Sequence, residues 1–219
     1  MAKGSRRPRS LLLAGTQFLC FGEYLLYKGG DIYSMNSVEV IEVFYKIRTD
    51  LDKLKYSAYI TKIINDVTDE NQNCYKIMQL FLNTLYVISE TDKDLDFVAS
   101  IFRLRLLSII GFKPEINQCV NCRGGLSPLQ TSFAGDPDFP CPPLKYFSIK
   151  NSGLKCDVCG KQDKSSIEIL ESTKDAVRYI ILSDSKKIFS FDIPAASKKE
   201  LEIISKLYLT EKLEKEYRI

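Results

Sequence analysis

Two Cys-x-x-Cys doublets in a chain without histidine place the strongest constraint on what this sequence can fold into. The first doublet is Cys119 and Cys122, and the second is Cys156 and Cys159. Each doublet can turn back on itself, so that its two sulfur atoms take adjacent corners of a tetrahedron around one ion. Because the chain has no histidine, the sequence predicts a zinc site made only of thiolates.

A closed site of four thiolates is structural rather than catalytic, since it leaves no coordination position for a substrate. Two alternatives stay open: four reduced cysteines that pack as small apolar side chains, or a redox-active doublet. The 33 residues from Arg123 to Lys155 exceed the roughly 15–20 between the doublets of common zinc ribbons. Cys141 lies in this segment and is a further candidate ligand, although the flanking prolines oppose a knuckle there. We expect the negative charge of the site to be offset by nearby cations: Arg123, Lys155, Lys161 and Lys164.

The missing histidines also limit the chemistry that the chain can perform. They exclude Ser-His-Asp triads, Cys-His dyads and histidine-ligated catalytic metals. Acidic groups such as Asp50 with Asp52, or Asp92, Asp94 and Asp96, stand at predicted helix starts, where carboxylates cap N–H groups. We therefore predict that the protein is not an enzyme. A magnesium-dependent nucleic-acid enzyme using these carboxylates is the alternative.

Charge and hydrophobicity predict a cytoplasmic chain. The formal net charge is +3, and no apolar run approaches the roughly 20 residues of a membrane span. The N-terminus lacks the apolar core of a signal peptide.

Because the net charge is only +3, any nucleic-acid role must come from a local basic patch, and the densest one is Lys3, Arg6, Arg7 and Arg9. The alternative for this segment is a solvated tail.

The hydrophobic pattern predicts a fold of the α+β class that is mostly α. Apolar stretches over 11–13 and 16–21 and the turn at Gly29-Gly30 favour two or three antiparallel strands within the first 43 residues. Helical spacing follows over 51–67, 75–88 and 95–110. A proline-rich loop from Pro128 to Pro143 leads to a strand over 144–149, and Ser172 and Ser197 are predicted to cap two final helices.

An ordered set of short motifs runs along nearly the whole chain: Lys3–Ser10, Gly22–Gly29, Arg48–Leu51, Tyr56–Tyr59, Phe102–Leu107, Gly111–Glu115, the two knuckles, Arg178–Ile180 and Leu207–Leu209. This set resembles the bacterial RecO family of DNA-repair proteins. The resemblance implies an N-terminal OB barrel, a helical domain and a zinc-knuckle region. In the family the opening strands precede the Lys-Gly-x-Arg-Arg segment, whereas this chain begins there. We therefore expect an incomplete OB-fold domain over 1–43 and a helical domain over 44–219, with the zinc knuckles inserted at about 116–165.

The resemblance implies a recombination mediator. Such a protein binds single- and double-stranded DNA and anneals complementary strands. It works with RecR, and in some bacteria with RecF, to load the recombinase onto DNA coated by single-strand-binding protein. The alternative is a zinc-ribbon module that binds a protein partner and no DNA.

Residues of this chain can be assigned to these expected roles. Arg103 and Arg105 are candidate contacts for the acidic tail of single-strand-binding protein. Phe21, Tyr24 and Tyr27 either stack on bases or pack in the barrel. The expected phosphate contacts are Lys3, Arg6, Arg7, Arg9 and Lys28.

Overall fold

The computed structural model describes residues 1–70, 72–123 and 142–219. Cys141 and most of the predicted proline-rich loop lie outside these ranges. The fold is mixed α/β and mostly helical, as the sequence predicts. Two compact units make up the chain, Met1–Leu54 and Lys55–Ile219.

The first unit is built on a β-hairpin. Strands β1 (Phe21–Gly29) and β2 (Ile32–Glu42) pair antiparallel, and their register is irregular at two points along β1. Gly30 turns the chain with a φ of 63°, a conformation that costs glycine little. The short helix α1 (Tyr45–Arg48) follows.

The segment before the hairpin differs from the prediction. Residues 11–20 form consecutive turns instead of strands. These turns are held by the hydroxyl of Tyr24, which donates to the carbonyls of Gly15 and Cys20, and by Arg48, which donates to the carbonyl of Phe18. The apolar residues of this segment therefore satisfy their backbone locally and through side chains, not through a ladder.

Three helices agree with the predicted periodicity: α2 (Leu51–Val67), α3 (Tyr75–Glu90) and α4 (Leu95–Ile109). Helix α4 is buried along most of its length and packs against α3 and two later helices. Gly111 follows its end with a φ of 103°, so the predicted stop at this glycine is confirmed.

A small sheet and a short helix follow. Strands β3 (Leu144–Ser148), β4 (Gly153–Cys156) and β5 (Ser166–Glu168) pair antiparallel in the order β4-β3-β5. Helix α5 (Asp157–Gln162) connects β4 to β5. The strand and turn predicted before the second doublet are confirmed.

Two long helices complete the chain, α6 (Glu171–Leu182) and α7 (Ala195–Leu213). The prediction that Ser172 and Ser197 cap these helices is wrong. Both serines lie inside the helices, and their hydroxyls pair with each other at 2.6 Å. A side chain from α7 takes over the start of α6: Glu200 Oε2 accepts from the N–H of Leu170 and from the hydroxyl of Thr173. Contact between the helices thus replaces two local caps.

Candidate functional site

The four doublet cysteines converge on one point. Their sulfur atoms all lie within 4.8 Å of one another, and the Sγ atoms of Cys122 and Cys156 are 3.8 Å apart. Zinc–sulfur bonds of about 2.3 Å give a regular tetrahedron with edges of about 3.8 Å, whereas a disulfide requires about 2.05 Å. The sulfur set therefore fits a single tetrahedral ion such as zinc.

Strand β4 holds the first knuckle in place. The N–H of Leu154 donates to the carbonyl of Glu115, and the N–H of Val120 donates to the carbonyl of Leu154. Gly153 permits this close approach, because a β-carbon there would lie 2.6 Å from the Glu115 oxygen and from a methyl of Val120. The segment that leads to Cys119 is therefore held against β4, the strand that ends at Cys156.

The second knuckle sits where β4 becomes α5. Cys156 ends the strand, and Cys159 lies in the first turn of the helix. Gly160 comes next and lies beneath the ring of Tyr146. The two knuckles also touch through a side chain, because Asn121 Nδ2 donates to Cys159 Sγ at 3.4 Å.

Two thiols of the cluster have pKa values that are shifted in opposite directions. Burial opposes ionisation of Cys119, but N–H groups of Cys122, Cys156 and Asn121 lower its pKa to about 7. Burial raises the pKa of Cys156 to about 12, against the opposing N–H of Cys159. A bound metal would therefore displace protons from the buried thiols.

An ion pair braces the far side of β4. Lys155 Nζ lies 2.6 Å from Asp163 Oδ2, and the lysine side chain is only 6% exposed. This ammonium, with the N–H and hydroxyl of Ser165 and the hydroxyl of Ser166, holds the pKa of Asp163 well below its usual range. The pair stabilises the connection between β4 and β5.

The lysines that were predicted to offset the negative charge of the thiolates are only partly available for this. Lys155 and Lys161 lie beside the ligands in sequence, but their ammonium groups bind Asp163 and Asp157. Lys164 is exposed. Backbone N–H groups, and not these lysines, are what lower the pKa of Cys119.

The predicted phosphate contacts lie on the surface of the first unit. Lys3, Arg6, Arg7 and Arg9 are exposed, and they lie on consecutive turns in which Arg7 N–H donates to Gly4 and Ser10 N–H donates to Arg7. The start of this segment is tied to β2, because Met35 N–H donates to the carbonyl of Met1. The four cations are therefore displayed by an ordered segment.

Lys28 and the candidate stacking residues lie on β1. The ammonium of Lys28 sits 5.5 Å from the centre of the Tyr33 ring. Tyr27 is 72% exposed, whereas Tyr24 is 36% exposed and uses its hydroxyl to hold the N-terminal turns. Phe21 is half-buried at the start of the strand.

Both candidate arginines for the acidic tail use guanidinium N–H groups inside the helical part of the chain, although Arg105 Nε has no hydrogen-bond partner among the residues that the structure describes. Arg103 is fully buried and donates to the hydroxyls of Tyr59, Ser100 and Ser205. Arg105 donates to the carbonyls at the end of α6, those of Ile180 and Ile181. Both side chains stabilise the helical core, a role that their sequence positions did not reveal.

The acidic groups cap helices, as interpreted from the sequence. Asp50 accepts from the N–H groups of Asp52 and Lys53. Asp94 accepts in the same way from Asp96 and Phe97. These carboxylates satisfy N–H groups that α2 and α4 would otherwise leave without a partner.

Several residues of the metal region were not anticipated. One of them is Gly160, which is visible in the sequence as a glycine directly after the second doublet. A glycine is needed there because the ring of Tyr146 lies directly against it. Nothing in the sequence pointed to Asp163 as the centre of five hydrogen bonds from side chains and backbone.

None of the helices in the part of the chain that the structure describes is both long and apolar enough to cross a lipid bilayer.

Comparison with known proteins agrees with the motif order. Residues 48–218 match the family model "Recombination protein O C terminal". The chain is 41% identical to the DNA repair protein RecO of Acetivibrio thermocellus over 217 residues, which cover 99% of this chain and 80% of the relative. Identity to the RecO proteins of Alkaliphilus metalliredigens and Halalkalibacterium halodurans is 31% and 29%, over 95% and 96% of this chain and 79% and 76% of theirs. The chain therefore belongs to the RecO family.

Proposed function

We propose that this chain is a non-enzymatic mediator of DNA repair and recombination. The observation that carries the proposal is its similarity, over almost its whole length, to proteins named for DNA repair. In this role it binds single- and double-stranded DNA, promotes annealing, and helps load a recombinase onto DNA covered by single-strand-binding protein. RecR, RecF and the tail of single-strand-binding protein are its proposed partners. Its proposed place is the cytoplasm, at the nucleoid.

The exposed basic segment supports DNA binding. Cations at positions 3, 6, 7 and 9 stand on an ordered series of turns, and Lys28 adds a charge on β1. Contacts of this kind neutralise phosphates and release counterions, so they bind without sequence preference and weaken as salt rises. The exposed ring of Tyr27 offers a surface on which a base can stack.

We propose that the hairpin belongs to an incomplete OB-fold domain over residues 1–43, and that residues 44–219 form the helical domain. The two register irregularities of β1 suit a barrel, because such irregularities bend and twist a strand. In the helical domain, Cys119, Cys122, Cys156 and Cys159 hold one zinc ion in a structural role. Their spacing supports this assignment.

The DNA-binding proposal is tested by reversing the basic segment. A variant with Lys3, Arg6, Arg7 and Arg9 all changed to Glu is titrated against a labelled single strand by fluorescence anisotropy at several salt concentrations. We expect affinity to fall at least tenfold, and the slope of log K against log salt to lose about 3 units, since each phosphate contact contributes about 0.7. The matched control reverses four exposed lysines of the second unit: Lys113, Lys145, Lys150 and Lys164.

Unchanged affinity and salt slope in the N-terminal variant would contradict the assignment of these four cations. No binding by the native chain at low salt would instead favour the protein-interaction module. The control variant distinguishes a local effect from a general loss of positive charge, because both variants change the net charge equally.

A further inference from the structure

We propose that Cys122 is a modification site, at which hydrogen peroxide or a related hydroperoxide attacks the metal centre. The product is a disulfide between Cys122 and Cys156, and its formation releases the metal. This inference rests on the proposed zinc site and adds a chemical reactivity to it.

Exposure separates Cys122 from the other three ligands. Cys119, Cys156 and Cys159 are 0%, 1% and 9% exposed, whereas Cys122 is open to solvent. Thiolates react with peroxides in proportion to their ionisation and their accessibility. Metal coordination keeps all four sulfurs ionised, so accessibility decides which of them reacts first.

A resolving thiolate already stands beside Cys122. The Sγ of Cys156 lies 3.8 Å away, on the other knuckle, and must approach to about 2.05 Å to form a disulfide. The first knuckle is fastened to the strand that carries Cys156, through the hydrogen bond from Val120 to Leu154. The Sγ atoms of Cys122 and Cys156 therefore stay close to each other while Cys119 and Cys159 lose their bonds to the metal.

The reaction balances in two steps. The Cys122 thiolate attacks one peroxide oxygen, so that an S–O bond forms, the O–O bond breaks and hydroxide leaves with the electron pair. The Cys156 thiolate then attacks the sulfenic sulfur of Cys122, so that the S–S bond forms and a second hydroxide leaves. Two thiolates have lost two electrons to one peroxide. Zinc keeps two protein ligands, Cys119 and Cys159, and is released.

The test begins with the zinc content of the reduced native protein. Substoichiometric peroxide is then added in the presence of a chromophoric zinc chelator, and the products are mapped by mass spectrometry after the remaining thiols are blocked. We expect one zinc released per peroxide consumed, with Cys122–Cys156 as the first disulfide. A first disulfide within either doublet, or between Cys122 and Cys141, would overturn the proposal.

Two histidine variants sharpen the test, because three cysteines and one histidine also bind structural zinc. In Cys122→His the exposed thiolate is gone, and peroxide-driven release should slow at least tenfold. In Cys159→His, which also replaces one ligand, the exposed thiolate remains, so release should be faster than from Cys122→His. A Cys122→His protein that holds zinc but loses it at the native rate refutes the proposal. If neither variant holds zinc, the map of the native protein decides alone.

Failure of the metal assignment is separately visible. A native protein without zinc would refute the zinc site, and the order in which its four thiols are oxidised would still show whether Cys122 reacts first.

Discussion

At the residue scale, Gly160 sets the geometry of the second knuckle by having no side chain. A β-carbon on Gly160 would lie 2.2 Å from two ring atoms of Tyr146, far inside van der Waals contact. Tyr146 stands on the central strand of the small sheet and is only 9% exposed, so its ring has little space to move. The close approach of α5 to β3 therefore requires glycine at this position.

We predict that Gly160→Ala lowers the free energy of unfolding by about 1–3 kcal/mol, the usual cost of overpacking a core. Denaturant unfolding followed by circular dichroism measures the change. Val158→Ala is the control, because Val158 is exposed on the same helix and its truncation should cost under about 0.5 kcal/mol. Adding Tyr146→Leu should recover part of the loss. Equal stabilities for the two alanine variants would contradict the steric argument.

At the element scale, the start of α6 depends on a residue of α7. Glu200 accepts hydrogen bonds from Leu170 and Thr173 at the helix start. Its negative charge also lies at the positive end of the α6 dipole. This arrangement combines a cap with an interhelical contact, so the two helices stabilise each other.

We predict that Glu200→Ala lowers the free energy of unfolding by about 1–2 kcal/mol, the cost of losing a helix cap. Thermal and denaturant unfolding provide the measurement. Glu202→Ala is the matched control on the same helix, because it removes an i,i+4 pair with Lys206 worth about 0.3–0.5 kcal/mol. A loss at position 200 no larger than at position 202 would show that the cap contributes nothing.

The helices of the chain show which signals in the sequence were sufficient to predict an element. The periodic apolar residues of α2, α3 and α4 fixed their limits closely, because those signals are local. Ser172 and Ser197 carried an equally local signal, that of a helix cap. In the structure their hydroxyls pair with each other across 25 residues of sequence, so neither serine caps a helix. The doublets predicted that the four cysteines come together, whereas the bridge from Glu115 to Gly153 joins residues that no spacing rule connects. Long-range partners account for what the sequence left undetermined.

At the scale of the whole molecule, the cysteine cluster and the small sheet beside it are joined to the helical core of the second unit. Phe147 of β3 packs edge-on against Tyr208 of α7, with ring centres 5.5 Å apart. Arg178 of α6 donates to the carbonyl of Ile116, just before the first knuckle. Loss of the metal should therefore weaken the second unit as a whole.

We predict that a strong zinc chelator lowers the midpoint of thermal unfolding. Zinc that binds only the folded state, at a free concentration a thousandfold above its Kd, contributes about 4 kcal/mol. Differential scanning calorimetry with and without chelator measures the shift. A Cys119→Ser/Cys156→Ser variant is the control, because a chelator should leave its midpoint unchanged. An unshifted midpoint in the native protein would contradict a stabilising zinc.

The buried guanidinium of Arg103 has a consequence for how the core can change over evolution. Its three hydroxyl partners belong to three helices, α2, α4 and α7, and none of them is a carboxylate. Replacing Tyr59, Ser100 or Ser205 alone by an apolar residue removes an acceptor from a charge that cannot reach water. A change at one of these four positions is therefore expected to need a compensating change at another.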